Sequence, residues 1–217
     1  SDLLNALPEG RFMFDIDQAG YFTLQPDGLR RLDQVDVPAN EWQRVVSYWD
    51  PAMGLAPSQG RSRSTEGDFS CAPIVVMDTR RYLYVVDTYL DQLATPDVQI
   101  HDLVELLWRW QVRTLGIEAN GFQSLLVGNL REALDRKKLE VQRPWDITLV
   151  PVTNTRAKPV RISTLQPFVV NHWLWFNQTL PSEYFRQFRE FRPIRDAGHD
   201  DAPDATEGAV RVAWDLL

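Results

Sequence analysis

The sequence contains a single cysteine, Cys71, in 217 residues, which excludes an internal disulfide. It has no run of about 18 apolar residues and no charged segment leading into an apolar one. Those absences point to a soluble protein of a reducing cytoplasm, with no membrane partner. No glycine is followed by lysine, so a P-loop cannot be present and nucleotide hydrolysis is excluded from this stretch of chain. The three histidines, His101, His172 and His199, show no metal-ligand spacing, which argues against a histidine-based hydrolase. There is no internal repeat and no low-complexity tract. Bases are also in deficit: 23 against 30 acids gives a net charge of −7, the wrong sign for a polyanion ligand unless the charges are unevenly placed. They are uneven. Residues 1–50 carry 9 acids and 4 bases, residues 196–217 carry 6 acids and 1 base, and the middle holds 15 acids and 18 bases. A basic middle between acidic ends leaves room for a DNA groove, although ordinary solvated charge explains the same split.

What is present is alternation between short apolar runs and helical periodicity. Phe12 to Ile16 and Tyr21 to Leu24 flank Ala19-Gly20 and predict a small hairpin. Polar, proline-containing sequence from Gln25 to Asn40 reads as a linker, so residues 1–41 are expected to be an extension and 42–217 the domain proper. Arg44 to Trp49 is β-rich and ends at Asp50-Pro51. After a Gly, Ser and Arg-rich loop come two more strands, Ala72 to Asp78 and Tyr82 to Asp87, separated by hairpin spacing. Ile100, Leu103, Val104, Leu107 and Trp108 recur at helical intervals. A strand over Thr114 to Glu118, a helix over Gly121 to Lys138 and a strand over Ile147 to Val150 follow. Beyond them the pattern predicts one helix over Pro159 to Val169, a short strand at Leu174 to Phe176, a helix capped by Ser182 and a last helix from Asp200. This order predicts an α/β fold, a mixed sheet with antiparallel opening strands and parallel later ones, flanked by helices.

Acids stand at the ends of these elements: Asp50 after one strand, Glu118 closing another, and Asp200, Asp201 and Asp204 opening the last helix. Carboxylates fixed on regular elements suit a two-cation phosphodiesterase site, because Mg²⁺ takes hard oxygen ligands in a near-octahedral shell. Each acid also has a plainer explanation, as a solvated strand end or as a helix cap. Asp201 and Asp204, and Asp200 and Asp204, share helix faces, so something positive must lie between them, and a metal is the economical candidate. Antiparallel pairing of the first two strands of the domain would bring Asp68 near Asp50.

At these acids the chain resembles the nuclease domain of tailed-bacteriophage terminase large subunits. The resemblance is carried by Tyr48-Trp49-Asp50-Pro51-Ala52-Met53-Gly54 with Asp68-Phe69-Ser70, by Gly116-Ile117-Glu118-Ala119-Asn120-Gly121-Phe122-Gln123, by Lys158-Pro159-Val160-Arg161-Ile162 with Leu165-Gln166-Pro167, and by His199-Asp200-Asp201-Ala202-Pro203-Asp204-Ala205. It runs in order from about Val45 to Ala209. The resemblance implies a ribonuclease-H-like fold and a two-metal site for Mg²⁺ or Mn²⁺. Asp50, Glu118 and Asp201 would be catalytic, with Asp200 and Asp204 as further possible ligands. Asp68, Lys158 and His199 would support them, and Arg156, Lys158 and Arg161 would contact DNA. It also implies cleavage of concatemeric viral DNA to a 5′-phosphate and a 3′-hydroxyl in the host cytoplasm. The partners would be double-stranded DNA, the portal, the small terminase subunit and an ATPase domain to which residues 1–41 would connect. Two other readings stay open: another ribonuclease-H-like nuclease, such as a Holliday-junction resolvase or integrase-like enzyme, and a non-catalytic packaging or docking module.

Overall fold

The computed structural model describes residues 13–52, 68–118, 123–193 and 199–214. At its centre lies β5 (Ser70–Asp78), every residue of which is buried. Its side chains alternate between two apolar layers: Val75 and Met77 face one, Ile74 and Val76 the other, as the period of two in a strand requires. On one side β5 pairs antiparallel with β6 (Leu83–Asp91), closing the expected hairpin, and on the other with β4 (Trp42–Trp49). From β4 outward the pairing becomes parallel, first to β7 (Thr114–Glu118) and then to β8 (Thr148–Val152). The order β6-β5-β4-β7-β8, antiparallel then parallel, is the ribonuclease-H-like arrangement. Pro151 is tolerated in β8 because that strand is the sheet edge, where a missing N–H need break no ladder bond.

Helices cover both faces. On one, α1 (Pro96–Arg109) buries Ile100, Leu103, Val104 and Leu107, as their spacing predicts, and packs with α2 (Gln123–Val141). The other face carries α3 (Lys158–Ser163), α4 (Gln166–Val170), α5 (Ser182–Glu190) and α6 (Asp201–Ala213). Among the described residues no helix is long and apolar enough to cross a membrane.

Several local expectations are corrected. The hairpin forms one strand later than predicted: β1 (Gly20–Gln25) pairs with β2 (Gly28–Arg31) around a Pro26-Asp27 turn, a pair with turn chemistry. Phe14 and Ile16 are instead core residues, Ile16 within a 3₁₀ turn. Residues read as linker include β2 and β3 (Asp36–Pro38), and both belong to the main sheet. They join it through β9 (Leu174–Asn177), which lies parallel to β1 on one side and to β6 on the other. The single helix over Pro159 to Val169 is two short ones, because Pro167 lacks the N–H an unbroken helix needs and opens α4 instead. Ser182 is the first residue of α5 and Pro181 occupies the cap position. The expectations for Phe12, Met53-Gly54 and Ala119 to Phe122 lie outside the described residues.

Candidate active site

The register of β4 with β7 ends at Trp49 opposite Ile117, so the next residues, Asp50 and Glu118, emerge side by side. Asp50 is pinned there by reciprocal backbone hydrogen bonds with Cys71, each 3.0 Å. Helix α6 crosses β5, β4 and β7 with its N-terminus at this same end of the sheet. It lies close because two glycines make space for one ring: a Cβ on Gly208 would stand 2.4 Å from Tyr48 Cγ, and one on Gly116 would stand 2.8 Å from the same ring. Tyr48 is thereby wedged between β7 and α6, and the acids of three elements share one region.

A lysine occupies the middle of the α6 acids. Lys158 Nζ lies 2.7 Å from Asp200, 3.2 Å from Asp201 and 3.8 Å from Asp204. Burial works against its charge, but Asp201, Asp200 and Asp204 outweigh that cost and raise its pKa above the usual lysine value. Asp204 is held differently. Both of its oxygens accept from Arg161 Nη2, at 2.8 and 2.7 Å, and burial keeps its pKa above the ordinary carboxylate range despite Lys158 and Arg161. Asp201 is 4% exposed and accepts from the Phe69 backbone N–H at 2.9 Å. Neither Asp200 nor Asp201 spends its side chain on the plain capping role: Asp200 stands at the cap position without a side-chain cap bond, and its carboxylate turns to Lys158. The positive charge that the shared helix face demanded is therefore supplied here by Lys158 and Arg161.

Asp50 is half-buried, and its pKa is pushed well above the ordinary carboxylate value. Burial is the main cause, opposed by Lys158 and reinforced by the charges of Glu118 and Asp204 and by a hydrogen bond with Glu118. Asp68 clusters with His199 and Asp201, with ligand atoms of the three within 4.8 Å of one another. His199 stacks edge-on against Phe69 at 4.8 Å and puts Nδ1 3.8 Å from Asp201.

The basic residues divide. Arg161 is buried and committed to Asp204, whereas Arg156 is exposed and its carbonyl accepts from Arg161. Arg156 borders a cleft of about 530 Å³ between β8 and α6, lined also by Asn154, Thr155, Thr164 and Arg211. Sequence reasoning missed Asn154 and Arg211. Asn154, just past β8, donates to Glu118 Oε1 and to the Tyr48 hydroxyl, both at 3.1 Å, and accepts from Arg211 at 2.8 Å. The available signal was the spacing of Asp204, Glu207 and Arg211, which places charge along one face of an otherwise apolar helix.

No family model matches the sequence, and no curated protein matches it. Solved structures do. The human cytomegalovirus terminase nuclease domain, soaked with Mn and bound to an inhibitor, aligns with a TM-score of 0.56 at 13% identity, covering 82% of this chain and 86% of that one. The large terminase nuclease domain of Thermus phage P74-26 aligns with a TM-score of 0.53 at 15% identity, covering 92% and 94%. That of thermophilic phage G20c gives 0.50 at 16% identity, covering 91% and 96%. At such identities the likeness is one of architecture, and in architecture this chain has the ribonuclease-H-like fold of terminase nuclease domains.

Proposed function

We propose that the chain is a divalent-metal-dependent DNA endonuclease that cuts concatemeric viral DNA during genome packaging, with Asp50, Glu118 and Asp201 as ligands for Mg²⁺ or Mn²⁺. The observation that carries this reading is the meeting of carboxylates from β4, β7 and α6 at one end of the sheet. The donor set fits such a cation, being hard oxygens fixed on regular elements. The Mn soaked into the cytomegalovirus domain supports a divalent cation as the cofactor. When bound, the cations would activate water and neutralise charge on the phosphodiester.

The chain's own residues do the rest. Arg161 occupies Asp204, which leaves Asp201, with Asp200 beside it, as the acid of α6 open to a cation. The Phe69 N–H fixes one Asp201 oxygen. Lys158, a third exposed, balances the acids while no cation is present and can turn its ammonium to a DNA phosphate when one is. Arg156 offers a second phosphate contact at the cleft rim. His199, with Nδ1 near Asp201, is placed to carry a proton. None of these contacts reads a base edge, so cutting is indifferent to sequence. Double-stranded DNA is the substrate, and an ATPase domain, the portal and the small terminase subunit are the partners of the full packaging system.

Nicking of supercoiled plasmid tests the proposal, run with Mg²⁺, with Mn²⁺ and with a chelator. The parent should nick only with a divalent ion, and Asp50→Asn or Glu118→Ala should abolish it. Full activity in both variants, or equal nicking in chelator, would overturn the assignment.

A further inference from the structure

We propose that Asn154 and Arg211 are positioning residues that fix the orientation of the Glu118 carboxylate toward a divalent cation. Asn154 lies two residues beyond Val152, which is registered opposite Glu118, so the end of β8 delivers an amide beside the end of β7. Its Nδ2 donates to Glu118 Oε1 at 3.1 Å and to Tyr48 Oη at 3.1 Å, while its Oδ1 accepts from Arg211 Nη2 at 2.8 Å.

Which way the amide faces follows from its neighbours. A guanidinium has five donors and no acceptor, and a carboxylate has acceptors alone. Arg211 must therefore face the amide oxygen, which obliges the NH₂ group to face Glu118. Turned over, the amide would put its oxygen against the carboxylate and its NH₂ against the guanidinium, and both bonds would become repulsions. Arg211 is fixed in turn from its own helix, since both Glu207 oxygens pair with its Nε, at 2.9 and 3.0 Å. Tyr48, the other anchor of the amide, cannot move because Gly116 and Gly208 close on its ring. The chain Glu207, Arg211, Asn154, Glu118 thus runs from a buried helix face to a carboxylate at the reacting end of the sheet. A glutamate has three rotatable bonds, and a fixed donor on one oxygen selects the orientation in which the rest of its lone pairs face Asp50.

This inference rests on reading Glu118 as a cation ligand, and its test separates the two. Mn²⁺ affinity is measured by isothermal titration calorimetry on the full chain, together with the Mn²⁺ concentration that half-saturates plasmid nicking and with urea stability of the metal-free protein. Loss of an outer partner of a metal ligand typically weakens affinity about 10- to 100-fold, so Asn154→Ala should raise both the Mn²⁺ Kd and the half-saturating concentration by at least about tenfold, with nicking recovered at saturating Mn²⁺. Asn154→Asp keeps the shape and the bond from Arg211 but replaces the donor by an acceptor. It should be as defective as Asn154→Ala, which a role in packing alone does not predict. Arg211→Ala should weaken Mn²⁺ binding less than Asn154→Ala, and Arg211→Lys should restore part of the loss. Parent-like Mn²⁺ affinity in Asn154→Ala and Asn154→Asp, with both folded in urea, would overturn the positioning role while leaving the nuclease reading intact. A parent that neither binds Mn²⁺ nor nicks DNA would overturn the nuclease reading and this one with it.

Discussion

Replacing Lys158 by Met should make the metal-free protein less stable and more responsive to Mn²⁺. The ammonium sits 2.7 to 3.8 Å from three carboxylates, two of which are nearly buried. One such contact has a Coulomb energy on the order of 4 kcal/mol at an effective dielectric near 20, but desolvation takes back much of it. Lys158 is also a third exposed, so solvent screening reduces the net further. Removing one partner from a buried charge cluster costs about 3 to 5 kcal/mol, and the lower end applies here. For a domain of this size about 1 kcal/mol moves the melting temperature by roughly 2–4 °C. Metal-free Lys158→Met should therefore melt roughly 6–12 °C below the parent. Mn²⁺ at about 100 times its Kd returns about 2.7 kcal/mol, and the variant should gain all of it because no ammonium has to leave the carboxylates. The parent should gain less. Because the acids raise the lysine pKa, this stabilisation is complete at neutral pH and fades only as pH rises through that elevated value, so the gap should persist through pH 9 or so. Thermal denaturation with chelator and with Mn²⁺ measures both quantities. Equal metal-free stabilities, or equal Mn²⁺ shifts, would refute the reasoning.

Asp50→Asn should stabilise the metal-free protein at neutral pH. A carboxyl whose pKa is raised on folding favours the folded state at low pH and loses that advantage as pH rises through the folded value, so a pH series of melting temperatures should fall less steeply for the variant than for the parent. By the same linkage, a cation at Asp50 competes with the proton that its raised pKa favours, so Mn²⁺ affinity should increase with pH in calorimetric titrations. Gly208→Ala should cost about 1–3 kcal/mol in urea unfolding, because the new methyl would enter the Tyr48 ring; an unchanged midpoint would show that α6 can retreat. Arg161→Leu should destabilise by about 3 kcal/mol or more through the buried Asp204 it abandons, and the double variant with Asp204→Leu should recover most of that loss.

The legible parts of this molecule are those in which one local pattern suffices. The alternation of Ile74 to Met77 and the periodicity of Ile100 to Leu107 each dictate an element and its buried face. Asp50, Glu118 and the α6 acids stand out because charge at the end of an apolar run is conspicuous. What could not be read depends on partners remote in sequence. β2 and β3 look like a polar linker because they are short and lie toward the sheet edge; their buried residues, Leu29 and Val37, are too few to make a period. Asn154 carries no charge and lies in no element, and its meaning arises only when β8 aligns with β7 and α6 brings Arg211 across. Arg161 looked like a residue for DNA, but a sequence cannot say whether a base turns outward or answers an acid 43 positions away.

The seat of β9 between β6 and β1 has a consequence for anyone who would shorten this protein. Every residue of β9 is buried, and one of its two flanks is sheltered by a strand from the opposite end of the sequence, with Arg31 of β2 laid 3.8 Å over the Trp175 indole. Trimming the chain back to Trp42 would leave an apolar ribbon with unpaired amides facing water, a template for sticking to its own kind. The stretch that looks most dispensable is what keeps the sheet from recruiting a stranger.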